Sequence, residues 1–144
     1  MQYRSVSSEG GSEVSDELLE RLLDLMRQTI VGLVRRDGPD LTARQLAVLL
    51  ITYLESDAQT VRGLAAQLHV AKPVITRALD RLAEFDLVRR KQDPLDRRSI
   101  LVQRTTAGMG FLRELSQIVA DRSVQASSVI QHDSLTTHAQ HIKT

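Results

Sequence analysis

The chain has 144 residues, enough for one domain with a sizeable core, and with two Phe, two Tyr and no Trp that core must be aliphatic. No Cys is present, which excludes disulfides, thiolate metal sites and a thiol sensor in this chain, and no apolar run approaches the roughly 20 residues of a membrane span. The net charge of +1 hides an asymmetry: Arg62 to Arg104 holds ten Lys/Arg against five Asp/Glu, a local +5 that suits a polyanionic partner, while the rest of the chain carries −4.

Residues 1–14 are rich in Ser, Gly and Glu and read as a disordered tail. The stretch lacks the apolar segment of a signal peptide, so a cytoplasmic location is the default expectation. Ser15 or Asp16 then caps a helix, in which Leu18, Leu19, Leu22, Leu23, Met26, Ile30, Leu33 and Val34 recur at helical spacing up to Arg36. The run Asp37-Gly38-Pro39-Asp40 ends it. The apolar stripe is wide for a helix with one neighbour, so it serves either as core or as half of a dimer interface.

Leu41 to Leu46 predicts a capping box. Thr42 can accept from the Gln45 N–H while the Gln45 side chain reaches back, and Leu41 can pack on Leu46. That helix extends through Tyr53 to about Leu54, and residues 55–59 read as a loop. Thr60 is expected to cap a short third helix with Leu64, Ala65 and Leu68 inward, leaving Arg62 outward as a phosphate contact. His69 lies in the following turn.

The fourth helix carries the functional argument. Pro73 sits in its first turn, where a missing N–H costs nothing. Ile75, Leu79 and Leu82 form one apolar stripe. Lys72, Pro73, Val74, Thr76, Arg77, Asp80 and Arg81 lie elsewhere on the helix, basic and small toward its N-terminus, the end of a recognition helix that usually meets base edges. An ordinary amphipathic surface helix could show the same two faces. The hairpin that follows argues against that reading. Its arms are Leu87 to Lys91 and Ser99 to Arg104, and its tip contains Asp93, Pro94 and Asp96, all turn formers. Asp93 and Asp96 are expected to pair with Arg97 or Arg98 and stiffen the tip, leaving one Arg free for a narrow, negative minor groove.

These segments together resemble the MarR family of bacterial transcription regulators. The matching pieces are L-T-A-R-Q at 41–45, L-A-A-Q-L at 64–68, V-A-K-P-V-I-T-R-A-L-D-R-L at 70–82, L-V-R-R at 87–90, D-P-L-D-R-R-S at 93–99 and T-T-A-G at 105–108, within about residues 15–125. The wing tip with the downstream T-x-x-G is the more specific part. Three departures stand out: Ala71 where a Ser or Thr cap is usual, Asp86 where a Gly is usual, and Arg104 where a Leu is usual.

After the hairpin, Thr105 is expected to cap the last long helix, with Phe111, Leu112, Leu115, Ile118 and Val119 as its stripe to about Ile130. Leu135, Ala139 and Ile142 suggest one more short helix. His132, His138 and His141 cluster in sequence but lack matching carboxylates, so no metal site is expected. No phosphate-cradling Gly loop, H-E-x-x-H or G-x-S-x-G is present, so neither an enzyme nor a cofactor is expected.

The resulting expectation is a mainly α (α+β) winged helix-turn-helix, one domain overall. Residues 41–105 form the DNA-binding lobe with a two-stranded β wing, and 15–36 and 106–144 form dimerisation helices. The DNA contacts expected are Arg62, Lys72, Pro73, Val74, Thr76, Arg77, Arg81, Arg97 and Arg98, on a pseudo-palindromic operator. The resemblance further implies a homodimer, here through Leu18, Leu22, Met26, Leu112, Leu115 and Val119. It also implies a pocket for a small, often aromatic acid, for which Arg27, Arg44 and Tyr53 are the candidates. Repression relieved by such a ligand is the expected function. The rival readings are a winged-helix module that binds protein and a non-specific DNA binder.

Overall fold

The computed structural model describes residues 15–139, with side chains described through Val124. The elements run α1 (Asp16–Arg35), α2 (Ala43–Leu54), β1 (Gln59–Thr60), α3 (Val61–Gln67), α4 (Lys72–Glu84), β2 (Val88–Gln92), β3 (Ile100–Arg104) and α5 (Thr106–Ala139). This is the expected mainly α winged helix, with one refinement. The wing belongs to a three-stranded antiparallel sheet of order β1-β3-β2, because Gln59 and Thr60, read as loop end and cap, pair with Val102 and Leu101. The hairpin register is Val88 opposite Arg104 through Gln92 opposite Ile100.

The helix starts follow their sequence signals. Ser15 caps α1 by accepting from the Leu18 N–H at 3.3 Å. Asp16 and Glu17 occupy the positive first turn and Arg35 the negative last one. The capping box of α2 is complete: the Gln45 N–H donates to Thr42 Oγ1, and the Thr42 N–H donates to Gln45 Oε1 at 2.9 Å. Thr60 accepts from the Gly63 N–H at the start of α3. Ala71 precedes α4 with no side-chain cap, as its residue type requires.

Both turns that aim α4 are Schellman closures made without glycine. After α3, the His69 N–H donates to the Ala66 carbonyl and the Val70 N–H to the Ala65 carbonyl, with His69 at φ 52°. After α4, the Asp86 N–H donates to Ala83 and the Leu87 N–H to Leu82, with Asp86 at φ 53°. Asp and His are among the side chains that tolerate this left-handed region best. So His69 sits in the turn expected of it, and Asp86 takes up the left-handed conformation of the glycine it stands in for.

The core lies between α2, α3, α4, the sheet and the start of α5. Val48, Leu49, Leu64, Ile75, Leu79, Leu82 and Val88 have no exposed surface, so the stripe read on α4 is the one that packs. By contrast, no residue of α1 is buried, and Leu18, Leu22, Met26 and Ile30 are each about half exposed. The helix is held to the protomer along α5. A Cβ on Gly32 would stand 2.7 Å from Ile118 Cγ2, so glycine sets how closely the two helices approach. Arg36 stacks 4.2 Å over the Phe111 ring and pairs with Glu114, tying the end of α1 to α5.

The last helix is longer than expected: α5 continues unbroken to Ala139, so Leu135 and Ala139 extend it instead of starting a new one. Ile142, the 1–14 tail and the side chains of His132, His138 and His141 lie outside the described residues. No described helix is long and apolar enough to cross a membrane.

Candidate nucleic-acid interface

Three elements meet around a cationic hollow. Val61 and Arg62 from the start of α3, Lys72 and Thr76 from α4, Arg90 from β2, and Arg98, Ser99 and Ile100 from the wing line it together. The helix-turn-helix angle brings the α3 N-terminus beside the first turns of α4, and the hairpin folds back across them. Arg62, Lys72, Thr76 and Arg98, far apart in sequence, thus share one site. Arg62, Lys72 and Arg98 are exposed, and no side-chain hydrogen bond or ion pair engages them among the described residues. Three free cations around a hollow suit a phosphate.

Arg90, absent from the expected contacts, completes the hollow's wall. Its guanidinium donates to Asp80 Oδ1 at 2.5 Å, joining the wing to α4. The basic run 89–91 was legible, but only the fold places position 90 opposite Asp80.

Along α4 the expected contacts divide. Pro73 and Arg77 are exposed, while Val74 and Thr76 are partly covered but accessible. The Thr76 hydroxyl donates to the Lys72 carbonyl at 3.2 Å, which leaves its oxygen lone pairs outward. Arg81 departs from expectation. It pairs with Glu84 at 2.6 Å and stacks 4.4 Å over Phe85 at the C-terminal end of the helix, so its charge is already engaged.

The wing tip is stiffened by a different device from the one expected. Asp93 and Asp96 do not pair with Arg97 or Arg98 side chains. Instead Asp93 Oδ1 accepts from the Leu95 N–H at 2.9 Å, and Asp96 Oδ1 accepts from the Arg98 N–H at 3.1 Å. Short carboxylates reach backbone two residues on more readily than they span to a long guanidinium. Gln92 Nε2 donates to the Arg97 carbonyl at 2.7 Å, and the Asp93 and Ser99 N–H groups close the loop on Ser99 and Asp96 carbonyls. Both wing guanidiniums are therefore free of partners among the described residues.

The three residues expected to line a ligand pocket do not converge. Tyr53 is 6% exposed. Its hydroxyl donates to the Leu87 carbonyl at 2.7 Å and accepts from the Thr105 N–H at 2.8 Å, so it is a structural post between α2, the wing and α5. Arg27 lies on the outer face of α1 and donates to Asp24 at 2.9 and 2.6 Å. That bonding, with a further one from Gln28, holds the Asp24 carboxyl below its ordinary range. Arg44 stands at the start of α2 in a shallow hollow with Thr42, Gln45, Val74, Arg77 and Ala78, on the flank of α4.

The apolar groove itself runs between α1, α2 and α5, about 740 Å³ in volume, with Leu22, Met26, Leu50, Leu54, Leu112 and Leu115 among its walls and only Thr29 and Ser116 as polar lining. Four of the six residues expected at the dimer interface, Leu22, Met26, Leu112 and Leu115, are in that group, and Val119 also lines the groove. Leu18 is 45% exposed on α1, whereas Leu115 is buried within the protomer. No cluster of His, Cys, Asp and Glu able to hold a metal occurs among the described residues.

Arg104 also has a definite role. Its guanidinium donates to the Thr52 carbonyl at 2.8 Å and the Glu55 carbonyl at 2.6 Å, satisfying the open carbonyls at the end of α2. The departure from Leu thus leaves a surface cap and no buried charge.

Residues 41–100 match the family model described as the MarR family, the segment that holds the helix-turn-helix and most of the wing. Solved structures share the fold over most of their length. The transcriptional regulator Tm0710 from Thermotoga maritima is 21% identical, with 88% of this chain and 89% of that one covered at a TM-score of 0.69. A point mutant of MepR from S. aureus, bound to an oligodeoxyribonucleotide, is 20% identical over 91% of this chain and all of that one, at 0.66. MepR bound to ethidium bromide is 19% identical over 92% and 96%, at 0.60. At these identities the shared property is the fold. No curated protein matches the chain in sequence.

Proposed function

We propose that this chain, whose residues 41–100 match the MarR family model, is a homodimeric, sequence-specific regulator of transcription that binds duplex DNA and is released by a small apolar ligand. The observation that carries the reading is the hollow where Arg62, Lys72 and Arg98 converge beside the exposed face of α4. Phosphate held there would set the register, with Pro73, Val74, Thr76 and Arg77 turned to the major-groove edges. Arg98 belongs to the hollow, which leaves Arg97 as the cation for the minor groove. Arg44, in a second hollow on the other flank of α4 that Arg77 also borders, serves a second phosphate. Arg81 drops to a minor role because Glu84 and Phe85 already engage it.

The half-exposed leucines of α1 support pairing with a second copy, since a stripe of that size left in water would be costly. Two copies related by a two-fold axis set their recognition helices one helical turn apart on a pseudo-palindromic site, and a dimer seated on a promoter represses by obstruction. The groove between α1, α2 and α5 has the size of a small-molecule site. Its lining offers no cation, so an apolar aromatic molecule fits better than the carboxylic acid first expected. Such a ligand acts by binding one spacing of the two lobes better than the other.

The test is the salt dependence of binding. The double variant Arg62→Ala, Arg98→Ala removes two phosphate-neutralising cations from each protomer, four from the dimer, and the slope of log K against log salt should fall by about 3.6, at ~0.9 per contact. The pair Thr76→Ala, Arg77→Ala should instead erase preference among sequences. An unchanged slope in the first, or an unchanged preference in the second, would contradict the assigned roles. A monomer in sedimentation at micromolar concentration would contradict the dimer.

A further inference from the structure

Leu95 is 95% exposed, the highest exposure among the large apolar side chains of the described residues that stand out in solvent. A single exposed leucine is ordinary on a protein surface. This one differs in where it stands and how it is held. It stands in the wing tip, directly after Pro94, whose ring fixes its own backbone and restricts that of Asp93. Its own N–H is fixed on Asp93 Oδ1, and Arg97 and Arg98 are fixed through Gln92 and Asp96. Five hydrogen bonds thus order a loop that presents one apolar side chain flanked by two unpaired guanidiniums.

We propose that Leu95 enters the minor groove of the operator and selects A·T pairs there by excluding the guanine 2-amino group. The inference rests on the DNA-binding reading above and refines it. Charge complementarity commits the surface to duplex DNA: Arg97 and Arg98 meet the phosphates or the negative groove beside the leucine, and the surface continues into the Arg62–Lys72 hollow. In the minor groove, A·T pairs present acceptors and an apolar floor, whereas G·C adds a protruding N–H donor. Leucine has no acceptor to satisfy that donor, so a G·C pair leaves it desolvated and unpaired. Apolar side chains do enter the minor groove in other proteins, there as wedges between base steps. The wing thereby reads base composition by exclusion, while its guanidiniums supply charge.

The experiment uses the full chain and the tightest duplex from a random-sequence selection. The pairs outside each major-groove half-site are rebuilt as A·T, as inosine·C and as G·C. Inosine·C has the major-groove edge of a G·C pair but lacks the 2-amino group. The wild type should bind the A·T and inosine·C duplexes alike and the G·C duplex about tenfold more weakly, the scale of a ~1.4 kcal/mol difference. Leu95→Ala should lose most of that discrimination and leave the salt slope unchanged, because no charge is removed. Arg97→Ala should do the reverse, lowering the slope by about 1.8, one cation from each protomer of the dimer. Inosine·C behaving like G·C, or full discrimination surviving in Leu95→Ala, overturns the role of Leu95 while leaving DNA binding intact. No duplex bound by the wild type at low salt overturns the DNA-binding reading, and this one with it. Because Leu95 touches solvent on almost all its surface, the alanine variant should fold as the wild type does, which a melting curve verifies.

Discussion

Gly108→Ala should destabilise the protein, although the same change elsewhere in a helix stabilises. Replacing a helical glycine ordinarily gains about 1 kcal/mol. At position 108 the new Cβ would lie 1.7 Å from the Tyr53 hydroxyl oxygen and 2.4 Å from the Leu87 carbonyl oxygen. Neither neighbour is free to move: the Tyr53 hydroxyl is bonded to the Leu87 carbonyl and the Thr105 N–H at 2.7 and 2.8 Å. Displacing the ring leaves buried polar groups unpaired, at about 1–3 kcal/mol, and overpacks the core at about 1–3 kcal/mol more. The net expectation is a loss of about 3 kcal/mol, or roughly 6–12 °C in melting temperature for a domain of this size. Gly110→Ala is the internal control, since a Cβ there meets nothing within 4 Å. It should gain about 1 kcal/mol. Thermal and urea unfolding of both variants at one fixed protein concentration keeps association constant between them. A Gly108→Ala protein as stable as the wild type would refute the claim that Tyr53, Leu87 and Gly108 form the joint between wing and α5.

Four further outcomes follow from the same geometry. Ala71→Ser supplies the missing acceptor at the start of α4, whose backbone already has a capping conformation, and should add about 1 kcal/mol of stability by denaturant titration. His69→Gly relieves a left-handed residue at φ 52° and should stabilise by about 1 kcal/mol. Gly32→Val drives a branched side chain into Ile118; it should separate α1 from α5 and, on the proposed pairing through α1, shift sedimentation toward the monomer. An NMR titration should place the Asp24 carboxyl below its ordinary value, because Arg27 and then Gln28 donate to its charged form. The sign follows: this contribution is present above the unfolded-state pKa and fades as pH falls through the lower folded-state value. An ordinary Asp24 value would refute the Arg27 placement.

What could be read from the sequence was whatever depends on local chemistry. The Thr42–Gln45 capping box, the Ser15 and Thr60 caps and the Ile75-Leu79-Leu82 stripe each follow from residues within two turns of each other. The convergence of Arg62, Lys72 and Arg98 was legible as a list of cations but not as one hollow, since that depends on the helix crossing and on the hairpin's return. Three-dimensional competition accounts for the partners that three of the expected site residues take. Tyr53 found two backbone partners from distant segments, Arg81 found Glu84 and Phe85 on its own turn, and Arg27 found Asp24. The wing aspartates chose nearby N–H groups over long guanidiniums. Strand β1 is too short for periodicity and exists only because β3 lies beside it.

The most direct test of the account is fluorescence anisotropy of the protein on two labelled duplexes, the DNA upstream of its own gene and a scrambled copy, titrated from low to physiological salt. A sequence-specific regulator that controls itself retains the first duplex and releases the second, with log K falling linearly in log salt at about 0.9 per phosphate held. Equal, salt-labile release from both duplexes, repeated on the product of a random-sequence selection, would contradict base readout by α4 and reduce the protein to a phosphate-attracted binder.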